Sequence, residues 1–147
     1  MTAIALWTPR QNPRIVAARV LASETVNNSD VLVASDYLKF NVGPSERWSV
    51  EIYLRKLSTV ATIKYQYSIP TGATFKYTRT NTTPGVETNE DDNDTVTSDA
   101  QIEAASYRGI LTIGSTAGTF NVLFAQNAAD MSDTILAIHS YLIATKL

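Results

Sequence analysis

Apolar and polar residues alternate with period two along most of this chain, as they do in strands with one face buried and one face wet. In RWSVEIYLRKL, Trp48, Val50, Ile52 and Leu54 share one face, and Ser49, Glu51, Tyr53 and Arg55 share the other. TIKYQYSIP sets Ile63, Tyr65, Tyr67 and Ile69 against Lys64, Gln66 and Ser68. ATFKYTRT sets Phe75 and Tyr77 against Lys76 and Thr78, and GTFNVLFAQ sets Phe120, Val122 and Phe124 against Asn121, Leu123 and Ala125. The punctuation agrees with this reading. Asn27-Asn28-Ser29-Asp30, Gly43-Pro44-Ser45, Pro70-Thr71-Gly72, Pro84-Gly85 and Ala117-Gly118 fall between the alternating runs, where turn residues belong. Short strands at this spacing predict an all-β sandwich or barrel. A short helix over Ala100–Ser106 is a weak competing pattern and is not adopted.

The two ends depart from the pattern. Residues 1–14 hold Pro9 and Pro13, and no acid occurs before Glu24. Proline fixes φ and removes a donor, so an extended arm is expected here. Its apolar hook is Ile4, Leu6 and Trp7, with Arg10 and Arg14 as cations. Such an arm either packs Trp7 on its own domain or gains order on a partner surface. At the other end, DTILAIHSYLIATKL is apolar on both faces when read as one strand. Ile135, Ala137, Tyr141 and Ile143 lie on one side, and Leu136, Ile138, Leu142 and Ala144 on the other. A strand covered on both faces is central in a sandwich or lies at a subunit contact, and the core reading is the expectation.

Composition narrows the function classes. The chain has 147 residues, which fits one domain, and only 18% are charged. There is no cysteine, so disulfides, thiol catalysis and cysteine-ligated metals are excluded together. The first residues carry no basic, signal-like opening and no apolar run approaches a membrane span, so a soluble, cytoplasmically made protein is expected. Charge is uneven. Residues 1–86 hold ten Lys/Arg and five Asp/Glu, whereas residues 87–147 hold two and nine, giving the net −2. Such asymmetry can steer the chain onto an oppositely charged lattice.

Six of the nine acids after residue 86 lie in one block, ETNEDDNDTVTSD, residues 87–99. A calcium loop started at Asp92 or Asp94 puts Thr97 or Asp99 where glycine is required, so a solvated loop over 84–99 is expected and no metal site. The single histidine, His139, falls in the apolar last segment, where a hydrogen-bonded packing role is expected. Its neighbour Ser140 points to the opposite face of a strand, which rules out a dyad. Glu46 or Glu51 with Asp99 or Glu103 would be carboxylate pairs for glycoside chemistry, but no pattern joins them. Lys64, Tyr65, Tyr67, Lys76, Tyr77 and Arg79 interleave bases and aromatics as nucleic-acid platforms do, yet these tyrosines share their face with Ile63 and Ile69 and read as core. No catalytic motif is present in the sequence, and no enzyme, cofactor, nucleic acid or membrane partner is expected.

Two blocks, residues 24–74 and 109–147, resemble small virion structural proteins of tailed bacteriophages. The resemblance rests on a turn-rich opening before an alternating strand around Trp48, and on Pro70-Thr71-Gly72-Ala73. It continues with a Gly118-Thr119 strand running into Ala125-Gln126, and closes on Ser140-Tyr141-Leu142. His139 stands where the pattern has glycine, a position at which glycine permits backbone angles that histidine resists. The resemblance implies a jelly-roll-like antiparallel β-sandwich over 15–147, with the arm 1–14 in front. It implies a non-enzymatic virion protein, most specifically a capsid decoration (cement) protein on the exterior of the particle, bound to the major capsid protein. A homotrimer is expected, with Ile138, Leu142 and Ile143 of the apolar final segment as contacts. The alternative is a tail, fibre or baseplate part that binds a host glycan through Tyr and Trp at loop ends; a calcium-dependent lectin-like module and a hydrolase are the remaining rivals.

Overall fold

The computed structural model describes residues 14–58, 63–81, 86–89, 96–98 and 102–147. Among the described residues twelve strands form: β1 (Ile15–Arg19), β2 (Glu24–Val26), β3 (Val33–Val42), β4 (Arg47–Ser58), β5 (Ile63–Ser68), β6 (Thr74–Asn81), β7 (Val86–Asn89), β8 (Val96–Ser98), β9 (Ile102–Thr112), β10 (Gly118–Gln126), β11 (Thr134–Leu136) and β12 (Tyr141–Lys146). No described residue is helical, and the stretch expected to compete as a helix enters β9 at Ile102.

All strand pairs are antiparallel. The larger sheet runs β1-β12-β4-β9-β6-β7, with β11 bridging β4 and β2, and the smaller runs β3-β10-β5-β8. Setting aside β2, β6, β7 and β11 leaves β1-β12-β4-β9 packed on β3-β10-β5-β8. The chain winds back and forth between these two four-strand layers, and its first and last strands pair. That is the double-sheet jelly roll.

The alternation read from sequence decides which side chains fill the space between the layers. Trp48, Val50, Ile52 and Leu54 of β4 are buried, as are Ile63, Tyr65 and Tyr67 of β5, Phe75 and Tyr77 of β6, and Phe120, Val122 and Phe124 of β10. The sheets meet through aromatic rings. Phe40 lies edge-on to Trp48 at 5.2 Å, Tyr67 is perpendicular to Phe75 at 5.2 Å, and Phe120 lies edge-on to Phe75 at 5.3 Å. Each such pair adds about 0.5–1.5 kcal/mol beyond the area it buries. Gly109 has a steric reason to be glycine. A Cβ there would lie 2.2 Å from the Lys76 carbonyl oxygen and 2.6 Å from the Tyr77 Cβ, so β6 can lie against β9 only if that position is bare.

The C-terminal segment departs from expectation. It is two strands, β11 and β12, separated by a tight corner over 137–140 in which the Ser140 N–H donates to the Ala137 carbonyl at 3.2 Å. His139 turns this corner with φ 75°, and it is exposed rather than a hydrogen-bonded packing residue. The corner interrupts the alternation: Ala137 is buried beside Leu136, Ile138 and His139 are both exposed, and the inward set then resumes with Ser140, Leu142 and Ala144.

Candidate interaction surface

Residues of the larger sheet that alternate with the core set form its outer face, and strand register fixes who is next to whom. One row runs Ala17–Ile143–Glu51–Arg108–Thr78 across β1, β12, β4, β9 and β6, and the next runs Arg19–Tyr141–Tyr53–Ser106. At the centre, Tyr53 and Tyr141 stack at 5.5 Å with 23° between their planes. The Tyr141 hydroxyl donates to Glu51 Oε1 at 3.4 Å, and Arg108 Nε faces Glu51 Oε2 at 3.3 Å. Partial burial, and then the Glu51 charge, push the Tyr141 phenol above its ordinary range. Glu51 thus ties a ring from β12 to a guanidinium from β9. Apolar groups border this centre: Ile143 is 40% exposed and Ile15 is 63% exposed.

A second feature lies where β2 meets the start of β3. An open groove of about 410 Å³ is bordered by Ser23, Glu24, Thr25, Val33, Asp36 and Tyr37, among others. The Glu24 carboxylate is already committed, accepting from Ser35 Oγ at 2.6 Å and from the Asp36 N–H at 2.6 Å.

A third cluster closes one end of the sandwich. Glu46 accepts from Lys146 Nζ at 2.6 Å, from the Gly43 N–H at 2.7 Å and from Trp48 Nε1 at 3.0 Å. The lysine, then the Gly43 amide, lower its pKa from 4.5 to about 2, against a smaller opposing effect of burial. Arg14 belongs to this end. Its guanidinium lies over the Trp48 ring at 5.6 Å, and its carbonyl accepts from the Lys146 N–H at 2.9 Å.

The residues singled out from sequence distribute unevenly. Ile4, Leu6, Trp7 and Arg10 lie outside the described residues, as does most of the acidic block. Arg14 packs on its own domain. Ile138 is 41% exposed and Ile143 stands on the outer face just described, but Leu142 is fully buried in the core and has no surface to offer a partner. Tyr65, Tyr67 and Tyr77 are core residues, as their face suggested. Ser140 is buried and its Oγ accepts from the Arg55 N–H at 2.9 Å, while His139 turns outward. Glu46 and Glu51 are held by Lys146 and Arg108, and the side chains of Asp99 and Glu103 lie outside the described residues. Among the described residues, no group of three His, Asp or Glu side chains is placed to hold a metal ion. Sequence reasoning missed the centre formed by Tyr53, Tyr141, Glu51 and Arg108.

No protein-family model matches this chain, and no curated protein matches it. Solved structures do. The chain is similar to Eiger TNF from S. frugiperda, at 13% identity and a TM-score of 0.41, over 92% of this chain and 94% of that one. It is also similar to the infectious bursal disease virus VP2 subviral particle, at 13% identity and a TM-score of 0.27, and to the Gt strain of that virus, at 13% and 0.25. In both viral cases 99% of this chain aligns with less than half of the other, 45% and 43%. The jelly-roll assignment stands on the strand order itself.

Proposed function

We propose that this chain is a non-enzymatic structural protein of a viral particle, and more narrowly a decoration protein that binds the major capsid lattice of a tailed phage from outside. The observation that carries the reading is the outer face of the larger sheet. A stiff two-layer body presents an aromatic pair, exposed isoleucines and an arginine that its own core does not use, which is how a binding part is built. The resemblance of residues 24–74 and 109–147 to small phage virion proteins supplies the class of partner. In this reading the arm up to Pro13 adds Ile4, Leu6, Trp7 and Arg10 to the grip. Three copies assemble around the exposed Ile138 corner, and many weak contacts sum over the particle.

The test is direct. Purified chain is mixed with expanded, undecorated phage capsids, and binding is followed by co-sedimentation and electron cryomicroscopy. Saturable, regularly spaced density on the outer surface is the expected result, with loss of binding on deletion of residues 1–13. That deletion keeps Arg14, which the folded body uses. Equal affinity of the truncated chain would end the role of the arm, and absence of any density would end the capsid reading.

A second reading is favoured by the open groove at β2 and β3. Hydroxyls, two carboxylates and Tyr37 beside it suit a hydroxylated ligand such as a host glycan, as a tail or baseplate part would need. Glycan-array binding that is lost in Asp36→Ala and Tyr37→Ala would favour that role over decoration.

A further inference from the structure

We infer that the outer face of the larger sheet docks onto a protein surface rich in carboxylates. The inference rests on reading the chain as a binding part and goes beyond it by naming the face and the chemistry of what it meets. Alternation and register put Arg19, Arg47, Arg55, Lys76 and Arg108 on this face, against one carboxylate, Glu51, among the described residues. A whole protein of net charge −2 therefore carries a locally cationic side. Four of the five cations are arginine, the type enriched at interfaces, while lysine is depleted there. The Arg108 side chain is 76% exposed and faces solvent with most of its donors uncommitted to Glu51, whose own exposure is 38%.

The layout is that of an interface with a central anchor and a polar border. The Tyr53–Tyr141 stack is held at the centre by the two strands that carry it, so little side-chain freedom is lost when it is covered. The cations stand around it. Arg47 opens β4 and Arg55 lies further along the same strand, roughly 26 Å away at about 3.3 Å per residue. Charges spaced in this way meet discrete carboxylates better than a continuous phosphate track. The two tyrosines also spend a ring face on each other, which a base-stacking platform would leave open. Glu51 beside Arg108 would repel a phosphate chain passing over the centre. A second copy applied face to face would bring five cations against five, which disfavours that pairing.

The experiment uses the full chain, labelled with nitrogen-15, titrated with poly-L-glutamate and followed by amide NMR. The expected result is shifts confined to β1, β12, β4, β9 and β6, with affinity that falls steeply with salt. Arg19→Glu with Arg55→Glu should weaken binding at least tenfold. Lys39→Glu with Lys64→Glu, the same charge change on the other sheet, should leave it within about twofold. Arg108→Gln serves as a milder second variant and should weaken binding severalfold. Shifts spread over both sheets, equal loss in both double variants, or no binding at all would overturn the inference. So would single-stranded DNA perturbing this face at lower concentration than polyglutamate, or self-association through the face by sedimentation equilibrium. Capsid binding separates the two proposals. Undecorated capsids saturated equally by the wild type and by Arg19→Glu/Arg55→Glu would overturn the face while leaving the capsid role intact. Polyglutamate bound at this face by a chain that ignores capsids would overturn the capsid role alone.

Discussion

At the scale of single residues, the backbone at His139 is held where side chains are rarely found. With φ 75° and an exposed ring, the residue bears the steric cost of the left-handed region, roughly 1–2 kcal/mol, with no burial to offset it. His139→Gly should therefore raise stability by about 0.5–1 kcal/mol after the extra freedom of the unfolded glycine is subtracted. For a chain of this size that is about 1–4 °C in thermal midpoint. His139→Val, β-branched, should lower it. Calorimetry of both variants checks this, and a midpoint unchanged by glycine would show that the corner is not strained. The carboxylate of Glu46 gives a second residue-scale prediction. Its folded pKa lies near 2, below its ordinary 4.5, so the stability it contributes is complete above the unfolded value and drains away as pH falls from about 4.5 toward 2. Its partner Lys146 is 40% exposed, so solvent screening holds the effect to about 1 kcal/mol. Glu46→Gln should melt a few degrees lower at pH 7, and the gap should close near pH 2. A pH-independent gap would assign the loss to packing instead.

At the scale of elements, the close approach of β6 to β9 depends on one missing side chain. Gly109→Ala would set a methyl against backbone, not against the far end of a movable side chain, so relief requires the strands to separate. The expected loss is about 2–4 kcal/mol, read as a lowered urea midpoint. A variant as stable as the wild type would mean that β6 can shift freely. Elements are also where sequence reading succeeded and where it stopped. Alternation alone assigns the inward set of β4, β5, β6 and β10, because a strand with one wet face writes its period into the chain. It already put Tyr53 on the polar side of β4 and Tyr141 beside Ile143. What it cannot give is register. Glu51 and Tyr141 are 90 positions apart, and only the pairing of β4 with β12 makes them neighbours. The corner at His139 was hidden for a related reason. Apolar residues on both sides of a turn look like one doubly buried strand, since period two is broken only within the corner, by the buried pair Leu136 and Ala137 and the exposed pair Ile138 and His139. Gln126 was missed for a third reason. It is buried, accepting from the Ser29 and Asp130 N–H groups and donating to the Ser132 carbonyl, but nothing local distinguishes it from a solvated strand end.

At the scale of the whole molecule, the jelly roll closes with its last strand. β12 lies between β1 and β4, so the first strand joins the sheet through the last of the twelve. Leu142 and Ala144 are fully buried, and the Lys146 and Leu147 N–H groups bond to the Arg14 and Arg47 carbonyls at 2.9 Å. Without β12, β1 loses its sheet partner and one edge of β4 is left unpaired along Trp48–Tyr53. A bare edge of that length is a template for aggregation. A chain ending at Ser140 should therefore lack a cooperative thermal transition and associate on concentration. A chain lacking only Lys146 and Leu147 should fold and melt cooperatively at lower temperature, having lost the Glu46 partner but kept the buried pair. The strand order also makes nearly all pairing non-local, which places folding in the slow range of milliseconds to seconds or longer. Stopped-flow refolding should show the full fluorescence change of Trp48 developing in that range. A cooperative melt in the chain ending at Ser140 would show that the other strands suffice for the core, and that β12 is an addition to the fold and not its closure.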